Sequence, residues 1–180
     1  MVYVPTKALR VAGKWLAIRP IRKDDAQRLQ AFMARLSPES RYYRFLDALR
    51  ELPEQMLRCF VDVDFRHDMA IVAVTDYGTP QEAIVGVGRY FGDDDRQGCE
   101  FALAVADAWH HRGLGQCLMD SLIESCASHG YREMHGEVLA ENSGMLHLMT
   151  RLGFRITPAP DDLSLRHVVL AIPGALRQAS

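Results

Sequence analysis

The sequence predicts a mixed α/β (α+β) domain, a sheet flanked by helices, and three observations carry that prediction. Apolar, β-branched runs of strand length at 68–75 and 83–90 are separated by Tyr77-Gly78-Thr79-Pro80, so they form a hairpin. Other strand-length runs are separated by segments with apolar residues at helical spacing, such as Leu118, Leu122, Ile123 and Cys126. Between these, a strand passes through a glycine turn straight into a helix. Glu100 to Val105 alternates, with Cys99, Phe101, Leu103 and Val105 on one side and Glu100, Ala102 and Ala104 on the other.

Taken in chain order, residues 1–11 carry little pattern and read as a loose arm or an added strand. A first strand over 15–21 is stopped by Pro20, and Asp24 is placed to N-cap a helix through Leu29, Phe32, Met33 and Leu36. Ser37 as N-cap with Pro38 at the first helical position starts a second helix, on which Tyr42, Phe45 and Leu49 should pack while Arg41 and Arg44 are solvated. Pro53 opens a short helix over 54–61, and a polar connection follows that carries Asp62, Asp64 and His67. After the hairpin, residues 91–98 form a turn whose Asp93, Asp94 and Asp95 read as a solvated tip. The helix after the central strand runs over 113–129 and ends at Gly130; a strand over 131–139 follows. A helix from 142 to 152 is closed by Gly153, and strands over 154–157 and 164–172 finish the chain.

At 180 residues the chain is read as one domain, 1–180, long enough to bury roughly 70% of its unfolded surface. A net charge of −2 and a pI near 6.4 offer no electrostatic footprint for nucleic acid. No apolar run approaches the roughly 18–20 residues of a membrane span, and no signal-peptide pattern opens the chain, so no membrane partner and a cytoplasmic location are expected. Cys59, Cys99, Cys117 and Cys126 show neither CxxC spacing nor a disulfide framework; buried free thiols and no metal are expected.

The junction Arg112-Gly113-Leu114-Gly115 is where chemistry enters. Two glycines between a strand and a helix let backbone N–H groups point outward at the helix N-terminus, where unpaired donors and the helix dipole attract a phosphate. The spelling excludes two alternatives, since no Gly-Lys-Ser/Thr follows for a P-loop and no third glycine or later acidic residue stands at Rossmann spacing. Glycine also serves plain tight turns, so the pattern alone leaves that option open.

His110-His111-Arg112-Gly113-Leu114-Gly115 resembles the acetyl-CoA signature of the GNAT superfamily of N-acetyltransferases, Gln/Arg-x-x-Gly-x-Gly/Ala, with His110 in place of the usual Gln or Arg. Residues 142–154, an Asn, apolar positions at helical spacing and then Gly153-Phe154, are similar to that family's later motif, and the resemblance covers about 16 to 172. Leu36-Ser37-Pro38-Glu39-Ser40-Arg41-Tyr42-Tyr43-Arg44-Phe45 further resembles the Pat-like protein lysine acetyltransferases. The resemblance implies a GNAT fold, a central, mostly antiparallel twisted sheet of about seven strands flanked by helices, with an acetyl-CoA cleft where the central strands splay.

The resemblance also implies the site. His110, His111, Arg112, Gly113, Leu114, Gly115 and Gln116 would hold the pyrophosphate of acetyl-CoA, backbone groups of Leu103, Ala104 and Val105 its pantetheine arm, and Asn142 the arm or a bound water. An amine with a pKa near 10.4 is at pH 7 only about one part in a few thousand neutral, a penalty of roughly 4–5 kcal/mol, so a base is needed. Glu100 is the candidate by position, a carboxylate expected to be partly desolvated, and it matches the Pat-like catalytic glutamate. Many relatives place a tyrosine seven residues after the asparagine as general acid; here that residue is Met149, and His147 is the nearest titratable group. The implied acceptor is a primary amine, either a protein lysine or a small amine such as a polyamine, amino acid or aminoglycoside. A non-catalytic acyl-CoA sensor is the rival of a different class. The oligomeric state is not fixed, a homodimer among the options.

Overall fold

The computed structural model describes residues 6–45, 52–93, 95 and 97–173. Its strands are β1 (Lys7–Val11), β2 (Lys14–Pro20), β3 (Met69–Thr75), β4 (Ala83–Gly92), β5 (Gly98–Val105), β6 (Glu133–Leu139), β7 (Arg155–Pro158) and β8 (Leu165–Ala171). Its helices are α1 (Ala26–Arg35), α2 (Pro38–Phe45), α3 (Glu54–Val61), α4 (Leu114–Ser128) and α5 (Ser143–Arg151). The strands form one sheet ordered β1-β2-β3-β4-β5-β6-β8-β7, antiparallel throughout except between β5 and β6.

The sheet has eight strands where about seven were expected. The extra one is β1, paired with β2 around Ala12 and Gly13, whose φ values of 48° and 83° are the two positive values that a two-residue type I′ hairpin needs. Ala-Gly is a weak spelling of that turn, which is why residues 7–11 carried little signal.

Helices cover both faces. On one face α4 packs Leu114, Leu118, Leu122 and Cys126 against Tyr90, Cys99, Phe101, Leu103 and Met134. On the other, α1 and α3 bring Leu29, Phe32, Met33 and Val61 against Ala17, Ala70, Val72, Val74 and Ile84. Lying between these layers, β3 is buried along almost its whole length, and its sequence is accordingly a continuous apolar run.

Three local expectations change. Asp24 does not cap α1: a 3-10 turn over Lys23–Asp25 intervenes, and the buried residue is Asp25, drawn inward as the counter-ion of Arg19. Helix α2 starts as expected, with Ser37 Oγ accepting from Ser40 N at 3.1 Å, but it is turned relative to the expected face. Arg41 is the buried residue, its Nη1 donating to Leu36 O at the C-terminal end of α1 at 2.6 Å, and Tyr42 is exposed. Cys59 lies exposed on α3, Cys117 is half-buried, and Cys99 and Cys126 are buried. The expectations for the side chains of Arg44 and Phe45 and for residues Leu49 and Asp94 fall outside what is described.

The feature that positions the site is a divergence of neighbouring strands. Pairing of β5 with β6 covers only Gly98↔Glu133 through Glu100↔His135, although β5 continues to Val105 and β6 to Leu139. Phe101 is the wedge: its ring lies so close to Gly136 that a Cβ there would meet it at 2.8 Å, and it packs edge-on against Phe154 at 5.5 Å. Beyond Glu100 the β6-facing edge of β5 therefore has no strand partner.

Candidate active site

A cleft of about 610 Å³ opens at this divergence. Leu103, Ala104 and Val105 of β5 line it, with His110, His111, Gly113, Gly115 and Gln116 from the turn and first turn of α4, and Asn142 before α5. Residues far apart in sequence thus meet around one groove.

The turn is built for an anion. His111 at φ 56° and Gly113 at φ 85° are both left-handed, and Gly113 N-caps α4 without any side-chain cap. The first helical bond is Cys117 N to Gly113 O, which leaves the N–H groups of Leu114, Gly115 and Gln116 without intrahelical acceptors. Leu114 contributes only its backbone, because its side chain is fully buried in the core. Gly115 answers a packing demand as well: a Cβ there would stand 3.3 Å from Leu148 of α5. In place of the usual Gln or Arg, the His110 ring hydrogen-bonds through Nε2 to Val105 O at 2.8 Å, tying the turn to the end of β5.

Two predicted residues are placed differently from the expectation. Arg112 is exposed and does not line the cleft, whereas Arg151 does, its Nη2 donating to Gln116 Oε1 at 2.9 Å. Asn142 lines the cleft but spends its Oδ1 on capping α5, accepting from Met145 N at 3.1 Å, so only its amide NH₂ remains for a ligand. Met149 is fully buried and cannot act as a proton donor. Tyr43 of α2 is the phenol on the cleft wall; its hydrogen bond to Glu39 Oε1 at 2.8 Å, helped by desolvation and by Glu141, raises its pKa and keeps it protonated. His147 also lines the cleft and is exposed.

Asp107, which the sequence did not single out, ties α2 to this groove. It accepts from Ser37 N at 3.0 Å, Ser37 Oγ at 2.6 Å and Ser40 Oγ at 2.8 Å. Burial pushes its carboxyl up, but these hydrogen bonds outweigh that and hold it at about 2.

Glu100 stands at the point of divergence, opposite Phe91 on β4 and beside His135 on β6, the last β5 residue with strand partners on both sides. Its side chain is on the sheet face away from α4, exposed, and outside the lining of the groove. The partial desolvation expected of it is therefore not supplied by the protein alone. His135 beside it has a buried Nδ1 without a hydrogen-bond partner. The acidic and histidine residues of the 62–67 connection do not join the cleft. Asp62 pairs with Lys23 at 2.8 Å, Asp64 accepts from Arg66 N at 2.9 Å, and His67 O accepts from Tyr131 at 2.9 Å. Among the described residues no group of three or more His, Cys, Asp or Glu is arranged to hold a metal ion.

Comparison with known proteins gives a consistent picture. Residues 29–154 match the Acetyltransferase (GNAT) family. An acetyltransferase of Pseudomonas aeruginosa is 36% identical over 151 residues, which are 83% of this chain and 80% of that protein. The acetyltransferase Pat of Mycolicibacterium smegmatis is 28% identical over 142 residues, 78% of this chain but 41% of Pat. Among solved structures, the GNAT domain of S. lividans PAT superposes with a TM-score of 0.83 at 23% identity, covering 92% of this chain and 96% of that domain.

Proposed function

The chain belongs to the GNAT acetyltransferase family, an acyltransferase with acetyl-CoA as its cosubstrate, and from that premise we propose direct transfer to a primary amine, with Glu100 as general base and a protein lysine as acceptor. The observation that carries this reading is the divergence of β5 and β6, which begins at Glu100 and opens the β5 edge up to the anion-binding turn.

The residues present suit the donor. The outward N–H groups of Leu114, Gly115 and Gln116, in a turn where a Cβ on Gly113 would meet nothing within 4 Å, suit a pyrophosphate, with Arg151 adding charge from the opposite wall. The β6-facing edge of β5 at Leu103 and Val105, where only Val105 O is taken, by the His110 ring, suits the amide-bearing arm, with Ala104 and Asn142 lining the same groove. Bound there, acetyl-CoA supplies an acetyl group already activated as a thioester.

The chain's own residues do the remaining work. Glu100 takes the proton that the incoming ammonium must lose, and its carboxylate is unencumbered: among the described residues no hydrogen bond or ion pair holds it. Closure of the acceptor over Glu100 excludes the water that now reaches it. Backbone N–H groups of the open edge hold negative charge that develops on the acetyl oxygen. Tyr43, protonated and on the groove wall, is the phenol available where Met149 is not. The protein-lysine assignment rests on the Pat-like helix 38–45, whose Glu39, Ser40 and Tyr43 line the groove; a small amine is the alternative.

The test is release of free thiol from acetyl-CoA across lysine peptides, proteins, polyamines, amino acids and aminoglycosides, wild type beside Glu100→Gln. Turnover with a lysine-bearing protein, reduced at least roughly 100-fold in the variant, is expected for a lost general base. A variant as active as wild type sinks the assignment of Glu100, and turnover confined to small amines sinks the protein acceptor.

A further inference from the structure

We infer that Arg89 recognises a carboxylate carried by the acceptor, so that the site takes an amine bearing an acidic group in preference to a purely cationic one. The inference rests on the proposed transfer at Glu100 and names the class of amine that site prefers.

Arg89 lies in the middle of β4 and is 4% exposed. Its guanidinium carbon sits 4.6 Å from the centroid of the Phe60 ring and 4.7 Å from that of Phe91. Among the described residues it makes no hydrogen bond and no ion pair, and its Nε is buried without a partner. Two other buried arginines find partners: Arg19 is neutralised by both Asp25 and Glu82, and Arg41 donates to the Leu36 carbonyl. Among the described residues Asp68 is the opposite charge that acts on Arg89, from beyond ion-pair distance, and Asp68 Oδ1 accepts from Gly92 N at 3.2 Å. Burial accordingly pulls the Arg89 pKa below its ordinary value.

A buried cation without a counter-ion is uphill, and two aromatic faces offset only part of that. Its N–H donors, unused among the described residues, are the groups with which a guanidinium binds a carboxylate in the bidentate mode.

The strand register puts Arg89 near the proposed reaction centre. In the β4–β5 pairing Phe91 is opposite Glu100 and Arg89 opposite Ala102. Opposite residues share a face, so Arg89 and Glu100 are diagonal neighbours, with Cα atoms roughly 7–8 Å apart, and the side chains that complete the square are Ala102 and Phe91. No ion pair joins the two. An amine at Glu100 can therefore place a carboxylate of the same molecule on Arg89. That carboxylate comes either from a free amino acid or from an acidic residue flanking a lysine.

Lysine and cadaverine, which differ only by the carboxylate, test the first source; an Asp-Lys peptide and its Asn-Lys counterpart test the second. For each pair, turnover is measured by thiol release and binding by calorimetry in the presence of CoA, with wild type, Arg89→Met and Arg89→Lys. Wild type should favour the carboxylate-bearing member of at least one pair by roughly 10–100-fold, the range for one charge-assisted hydrogen-bonded pair. Arg89→Met should reduce the preference to within about 3-fold through KM, with cadaverine turnover and acetyl-CoA affinity retained, and Arg89→Lys should keep an intermediate preference. Equal handling of both members of both pairs by wild type overturns the inference without any variant, as does a preference that survives Arg89→Met. Turnover without carboxylate preference removes this inference and leaves the transferase assignment standing. Arg89-dependent binding without turnover of any amine does the reverse, and neither binding nor turnover removes both.

Discussion

Replacing Arg19 by Met should be among the most damaging single substitutions in the chain. Arg19 and Asp25 are fully buried, joined by Nη1 to Oδ2 at 2.7 Å and Nη2 to Oδ1 at 2.8 Å, and Nη2 also donates to Glu82. Backbone donors complete the cluster: Arg22 N to Asp25 and Gly78 N to Glu82, each at 2.8 Å. One guanidinium thereby ties the end of β2 to the turn before α1 and to the β3–β4 connection. Met fills a similar volume but leaves two buried carboxylates with only the partly exposed Arg28 nearby. Breaking a buried pair in this way costs about 3–5 kcal/mol. At about 2–4 °C per kcal/mol for a chain of this size, the melting temperature at pH 7 should fall by roughly 6–20 °C. Burial pushes the Asp25 and Glu82 carboxyls up, but the hydrogen bonds from Arg19 and the backbone outweigh it and hold both below the ordinary carboxylate range. A depressed folded-state pKa stabilises above the unfolded value and loses that contribution as pH falls through the folded one. The deficit of Arg19→Met against wild type should thus be largest at neutral pH and narrow from pH 5 downward. Thermal melts followed by circular dichroism across pH 3–7 measure it. A variant melting within about 2 °C of wild type at pH 7, or a deficit that does not shrink in acid, would falsify the ion-cluster account.

Asp107→Asn should lower the melting temperature by about 2–4 °C at pH 7, since an exposed, hydrogen-bonded carboxylate is screened by solvent and worth about 1 kcal/mol. With its folded-state pKa held at about 2, that difference should persist above pH 4 and vanish as pH falls toward 2; a constant gap across this range would show that the carboxylate charge is irrelevant to docking α2. Gly113→Ala meets no atoms within 4 Å but must adopt φ 85°, a strain of about 1–2 kcal/mol, so stability should drop by roughly 2–8 °C. Acetyl-CoA binding by calorimetry should weaken several-fold in the same variant, and unchanged affinity would argue that the turn geometry does not serve the donor.

Much of this architecture was legible from local patterns because strands and helices announce themselves through side-chain periodicity over short windows. The central strand, the glycine turn into α4 and the Asn142-led start of α5 are in that class: each is specified by residues within a turn or two of one another. Where a side chain is spent on a distant partner, the local pattern misleads. Asp24 has the spelling of an N-cap, but Asp25 is the residue drawn inward, because Arg19 reaches it from β2. Arg41 looks like a solvated charge beside an aromatic, yet it is buried to satisfy the last carbonyl region of α1.

The sequence by itself determined the alternation of elements, the family motifs and the position of Glu100 on its strand, all consequences of short-range sterics and spacing. Tertiary structure alone decided that β5 and β6 part at Glu100, because the parting depends on the Phe101 ring lying over Gly136, a residue 35 positions later. It alone decided that Asp107 grips Ser37 and Ser40, and that Arg89 is held between Phe60 and Phe91 without a counter-ion. Burial, wedging and counter-ion choice are properties of surfaces brought together by folding, and no window along the chain contains both partners.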